Sequence, residues 1–261
     1  MAPPDRGMAP TGMSGRSASD DGRHYCCCPS KKHFYSPDVS LARMDLVLGG
    51  RVVNLNVTSG RSRRSVIAKV ISENEIELRL PRGFRESVDG FVSKHKGWLE
   101  RAYNKFNSRK PIFSRDFVLY NGQYHKVDFS IGKENWAQPI SGALFVRSKD
   151  VTKVNDTIKT WLKQETKRFL ESKRELFEQY RVSEIIVKQS RHRWGWCMPG
   201  RKLGFNSFLS ALPTPLQEYL VSHELAHLFE ANHSMRYKRV LSEIAPNHRE
   251  LERELNGFRI H

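Results

Sequence analysis

The segment His223-Glu224-Leu225-Ala226-His227, with His233 six residues further on, constrains this chain more than any other. On a helix, residues four apart leave the same face one turn above the other, so both imidazoles can meet one metal ion. Glu224 directly follows the first histidine, placed to take a proton from metal-bound water. His233 falls beyond the expected helix end, where a returning chain can supply a third ligand. Three neutral imidazoles with one open position make a catalytic Zn²⁺ site, not a closed structural one. The pattern implies a metal-dependent hydrolase.

The flanking residues suit such a helix. Thr214 offers an N-cap, Pro215 the first helical position and Gln217 the reciprocal capping-box position. Leu216, Tyr219 and Leu220 follow at helical spacing with the histidines, while Val221, Leu225 and Leu228 broaden the apolar surface. The histidines therefore extend an apolar stripe and should point inward. Asn232 is expected to end the helix in a left-handed conformation. Ser234 can cap a second helix carrying Met235, Tyr237, Val240, Leu241 and Ile244; Asn247 with Glu250 can cap a third, which Gly257 stops. Glu243, Glu250 and Glu254 are alternative third ligands, ranked below His233 because carboxylates on such helices are usually solvated. His248 is expected to be a first-turn residue in water. The spacing to His233 equals that of the metzincin signature, but Glu230 stands where those proteins have glycine, so the turn must be made differently.

Upstream, Arg191-His192-Arg193-Trp194-Gly195-Trp196-Cys197 lies between two expected strands, 184–188 and 203–209. Two strands, a Gly-bearing loop and then the histidine helix are the parts of a zincin-type site, in which an edge strand near the metal pairs with extended substrate. Arg193-Trp194-Gly195 with Cys197, then Asn206, Leu209, Pro213, the His223-to-His227 motif and Asn232-His233-Ser234 resemble the YgjP-like metallopeptidase family. The resemblance extends to Arg61-Ser62-Arg63-Arg64-Ser65, Phe91-Val92 and Trp98, and so covers about residues 44–256. It implies His223, His227 and His233 as metal ligands and Glu224 as the catalytic acid/base. Arg193, Trp194 and Asn206 are the candidates for substrate binding. Trp196 stands where the family commonly has serine and Ser207 where it commonly has tryptophan, so metal binding carries over more safely than substrate preference.

The rest of the chain implies an α+β fold: a β-rich N-terminal region followed by a zincin-like helical metal-binding domain. Residues 1–43, rich in Gly, Ser, Pro, Met and Arg, are expected to form a disordered leader; 44–150 the β-rich region; and 151–261 the catalytic domain. Strands are expected at 51–57, 65–71 and 75–80 as an antiparallel meander, then a helix over 91–106. Further strands should run 116–120, 124–129 and 143–148, with Asn121-Gly122 turning a hairpin, and one long helix 155–180 should pack over the catalytic half. Cys26, Cys27 and Cys28 are consecutive and give no disulfide framework; Cys197 reads as a small buried residue.

Forty-four Lys and Arg against 28 Asp and Glu give a formal charge of +16, which favours anionic partners such as nucleic acid or nucleotide phosphates. The Arg61, Arg63 and Arg64 cluster either holds phosphates or is an exposed strand start. No apolar run can span a bilayer and no signal-peptide core is present, which points to the cytoplasm. Three functions fit: a zinc peptidase acting on polypeptide, a metal-dependent nucleoside triphosphate (pyro)phosphohydrolase, or a nucleic-acid-associated protein with a vestigial site. The oligomeric state is left open.

Overall fold

The computed structural model describes residues 39–59, 65–114 and 116–260. Arg61, Arg63, Arg64, Cys26, Cys27, Cys28 and most of the expected leader lie outside them. Strands β1 (Val39–Leu48), β2 (Arg51–Ser59), β3 (Ile67–Ser72) and β4 (Glu75–Leu80) form a sheet in the order β1-β2-β4-β3. β1 thus begins inside the stretch expected to be disordered, held by pairing along the whole of β2. Two hairpins are antiparallel, but β2 and β4 run parallel, so the sheet is not the expected meander. Alternation specifies which face of a strand is buried, not which neighbour it takes. The buried face is continuous either way: Val53, Leu55 and Val57 on β2 adjoin Ile76, Leu78 and Leu80 on β4.

Two helices, α1 (Val88–Lys94) and α2 (Lys96–Asn107), replace the single one expected. The chain breaks at His95, whose φ/ψ of −108/16° is not helical. Ser87 caps α1 by accepting from the Gly90 N–H. Phe91, Val92, Leu99 and Tyr103 then close the first hydrophobic core over the sheet.

β5 (Lys110–Pro111) leads to a second four-stranded sheet, β6 (Phe117–Tyr120), β7 (Gln123–Ile131), β8 (Trp136–Ile140) and β9 (Ala143–Ser148), in the order β6-β7-β9-β8. Asn121 (φ 47°) and Gly122 (φ 78°) make the expected hairpin turn. β8 was not among the expected strands; it carries Pro139 and lies at the sheet edge, where a missing N–H costs no ladder bond. α3 (Val154–Glu171) and α4 (Arg174–Gln179) stand where one helix was expected, separated at Ser172-Lys173.

β10 (Glu184–Lys188), β11 (Gly195–Met198) and β12 (Lys202–Asn206) form a third sheet ordered β10-β12-β11. β12 is parallel to β10 and antiparallel to β11, which leaves β11 as an edge strand. α5 (Thr214–Ala226), α6 (Met235–Ile244) and α7 (His248–Leu255) follow. The short final strand β13 (Phe258–Arg259) returns to pair with β5. α3, α5, the third sheet and the inner face of the second share one core that runs from Ile112 to Ile260. The architecture is α+β, β-rich first and mainly helical around α5. No helix among the described residues is long and apolar enough to cross a membrane.

Candidate metal centre

α5 is enclosed almost all round: Leu216, Tyr219, Leu220, Val221 and Leu225 are all buried. Its start differs from the capping box expected. Pro213, not Thr214, holds the N-cap position, and no side chain caps it. Gln217 instead donates its amide to the Leu212 carbonyl (2.7 Å) and to Asn121 Oδ1 (3.0 Å), tying the helix start to the β6–β7 turn. That anchor sets the rotation of the helix, and with it the direction of residues 223, 224 and 227.

His223 and His227 leave one face of α5 and are buried; half-buried His233 comes from the segment before α6. One donor atom from each lies within 4.8 Å of the other two. The helix stops at Ala226, earlier than expected, and Asn232 is not left-handed. Residues 227–229 form the turn, and the His227 Nδ1–H donates to the Glu230 carbonyl at 3.0 Å. That bond fixes the tautomer and leaves Nε2 as the acceptor. Nε2 is buried with no hydrogen-bond partner among the described residues.

Electrostatics favour the form a metal needs. Burial first, then His227, His233 and His248, hold the His223 imidazole well below its ordinary value. Burial also lowers His227, against the opposing pull of the Glu230 carbonyl bond and carboxylate. Both rings are therefore neutral near pH 7, ready to give a lone pair to a cation. An orphaned buried nitrogen and three converging neutral imidazoles fit a divalent metal.

Tyr237, read from sequence as a core residue of α6, packs against all three rings. Its centroid lies 4.5 Å from His227 (stacked), 4.7 Å from His233 and 5.4 Å from His223. Its hydroxyl donates to the His223 carbonyl at 3.4 Å. Tyr219 places its hydroxyl 3.4 Å from His223 Nδ1. Spacing was the available signal for both, since Tyr219 precedes His223, and Tyr237 follows His233, by four residues.

Glu224 is buried between α5 and β11. Its carboxylate packs on Gly195 so closely that a Cβ there would come within 2.8 Å of the Glu224 Cδ. The other candidates frame this contact. Trp194 is 2% exposed. Asn206 is fully buried and donates its amide to the Ser190 (2.7 Å) and Arg193 (2.8 Å) carbonyls, while its Oδ1 accepts from the Phe208 N–H. These two residues hold the loop that delivers Gly195 to Glu224. Arg193 is exposed.

A profile of the YgjP-like metallopeptidase domain matches residues 64–258, most of the chain. The chain belongs to the YgjP-like metallopeptidase family. Comparisons with curated proteins and with solved structures returned no match. Membership of this YgjP-like family implies a metal-dependent hydrolase, and the three-imidazole cluster is where such a metal fits.

The two departures from the family's common residues differ in setting. Trp196 lies across Gly204 of β12, where any side chain would overlap its indole. Ser207 is buried, and its carbonyl accepts from Thr166. Beside His227 opens a cleft of about 310 Å³, lined by Cys197, Met198, Pro199 and Arg201 on one side and by Leu228 and Ala231 on the other. Cys197 is half-buried, not fully enclosed as expected. His248 is not in water either. It is buried, with Nδ1–H on the Ala245 carbonyl at 3.1 Å, because α7 folds back on α5.

Proposed function

We propose that the chain is a zinc-dependent peptidase. His223, His227 and His233 would hold the cation, and zinc is the metal that three imidazoles in a site open to substrate favour. When bound, it would supply Lewis acidity toward water and a carbonyl oxygen. Glu224 takes the proton of the attacking water and returns it to the leaving amine. The Gly195 contact keeps that carboxylate at one place and excludes water from its far side.

One observation supports polypeptide over other substrates: the Glu224 carboxylate rests on a residue of β11, and β11 is an edge strand. An extended peptide added to that edge would carry its carbonyls past Glu224 in register, with main-chain hydrogen bonds supplying affinity. The adjacent cleft supports the same substrate. Its lining is mostly apolar, and its one cation, Arg201, already donates to the Tyr180 and Arg181 carbonyls. A triphosphate would need cations there that are free to bind it.

The test is hydrolysis by zinc-loaded protein of two panels, unfolded polypeptides and nucleoside triphosphates, each beside Glu224→Gln. Peptide cleavage that disappears in the variant while zinc stays bound is the expected result. Glu224-dependent phosphate or pyrophosphate release without peptide cleavage would overturn the proposal.

A further inference from the structure

Between Glu184 and Glu218 the chain has no carboxylate, yet it carries Lys188, Arg191, His192, Arg193, Arg201 and Lys202. Two of these cations are spent within the fold. Lys202 pairs with Glu184 at 2.6 Å, and Arg201 serves the two carbonyls named above. Lys188, Arg191 and Arg193 are exposed and form no ion pair with any described residue. All three sit at or within the connection from β10 to β11. Some cations elsewhere are paired locally: on α3 and α4, Lys159 pairs with Asp156, Arg168 with Glu165 and Arg174 with Glu178.

The first core adds to this group. Register places Lys69 beside Glu77 on the face of β3–β4 opposite the buried Ile76 and Leu78. Lys69 Nζ reaches both ring nitrogens of His192, at 2.9 and 3.1 Å. Glu77 is the acid beside it, and Glu77 is bound to Arg79 at 2.6 Å. Burial lowers the Lys69 pKa, opposed by Glu77 and reinforced by Arg79 and Arg191. Burial and then Lys69 also lower that of His192. A fold that gathers cations against their mutual repulsion gains when a polyanion settles on them.

We propose that the β10–β11 connection and the Lys69 end of β3 form a nucleic-acid-binding surface, with Lys69, Lys188, Arg191 and Arg193 contacting the phosphate backbone. Guanidinium groups bind phosphate oxygens in pairs, and ammonium groups add point charge. Backbone contact needs no base recognition, so the surface would be indifferent to sequence. Nucleic acid fits better than an acidic peptide because the charge excess of +16 extends far beyond four side chains. A duplex, with one charge per ~1.7 Å of axis, answers a field of that extent. The surface borders the proposed site without entering it, since Arg193 lies two residues before Gly195. It therefore stands whether or not the peptidase reading does.

Fluorescence anisotropy of the full chain with a fluorescein-labelled duplex DNA of mixed sequence, across a salt series, tests this. Log affinity should fall linearly with log salt, and each lost phosphate contact should reduce the slope by about 0.9. Lys69→Gln should remove one contact, and the triple variant Lys188→Gln/Arg191→Gln/Arg193→Gln up to three. Arg191→Lys/Arg193→Lys should retain the slope, which separates charge from folding damage; Lys159→Gln and Arg174→Gln should change nothing. Absence of salt-dependent binding, or equal losses in those two control variants, would overturn the proposal. So would competition by polyglutamate or a nucleoside triphosphate at the potency of DNA, reassigning the surface to acidic polypeptide or to free nucleotide.

Discussion

Gly195→Ala probes the contact on which the proposed mechanism most depends. The added Cβ would lie 2.8 Å from both Cγ and Cδ of Glu224, where ordinary carbon contacts begin near 3.5 Å. Either β11 or the carboxylate must retreat by about 1 Å. Both partners are buried between a sheet and a central helix, so the retreat is resisted on each side. Overpacking of this kind costs about 1–3 kcal/mol, a fall of roughly 2–12 °C in Tm for a domain of this size. A misplacement of about 1 Å in a catalytic group costs on the order of 100-fold in rate. The three imidazoles pack on one another and on Tyr237, so zinc content is expected to stay at the wild-type level. Calorimetry, metal analysis and turnover of a cleaved peptide would be read on one preparation. Wild-type Tm together with wild-type turnover would refute the reasoning, because the carboxylate would then not be seated against β11.

Three further outcomes are expected. His233→Ala should lower zinc affinity far more than His248→Ala, read by competition with a chromophoric chelator; equal affinities would place the third ligand elsewhere. Asn206→Ala strands the Ser190 and Arg193 carbonyls and should cost roughly 1–3 kcal/mol in urea denaturation, with faster proteolysis of the 189–193 loop; an unchanged midpoint would show that water replaces the amide freely. Finally, His223 and His227 titrate below their ordinary 6.5 because burial disfavours the cation, so the unfolded chain takes up protons first. Stability of metal-free protein is thus full above pH 6.5 and falls as pH drops below it, by up to about 1.4 kcal/mol per pH unit for each imidazole. Denaturation midpoints that do not move through that window would contradict the burial argument.

The convergence of the three imidazoles was largely legible from sequence because it rests on short-range periodicity. His223 and His227 share a face on any α-helix, and the apolar residues between Leu216 and Leu225 indicated which face turns inward. Features that depend on long-range packing were not legible. The alternation in β2 and β4 is the same for parallel and antiparallel neighbours. His248 carries no mark of being covered by α5, and Asn232 looked like a left-handed stop because the 227–229 turn leaves no sequence signature. The breaks at His95 and at Ser172-Lys173 occur at residues that helices tolerate. Asn206 came from the family resemblance, as a candidate for substrate binding. Only burial shows what the amide recognises, namely the chain's own carbonyls.

The last strand has a consequence for how the molecule comes apart. Phe258 belongs to the second core, while its neighbour Arg259 reaches back to Glu73 at 2.7 Å and to Asn107, beside the first. The final turn of chain is therefore a clasp between two separately packed bodies. With the clasp closed, both should melt as one cooperative unit; with it open, each keeps its own apolar interior and can unfold on its own schedule. Cohesion of the two bodies thus rests in part on Phe258 and Arg259, which take no part in the histidine cluster.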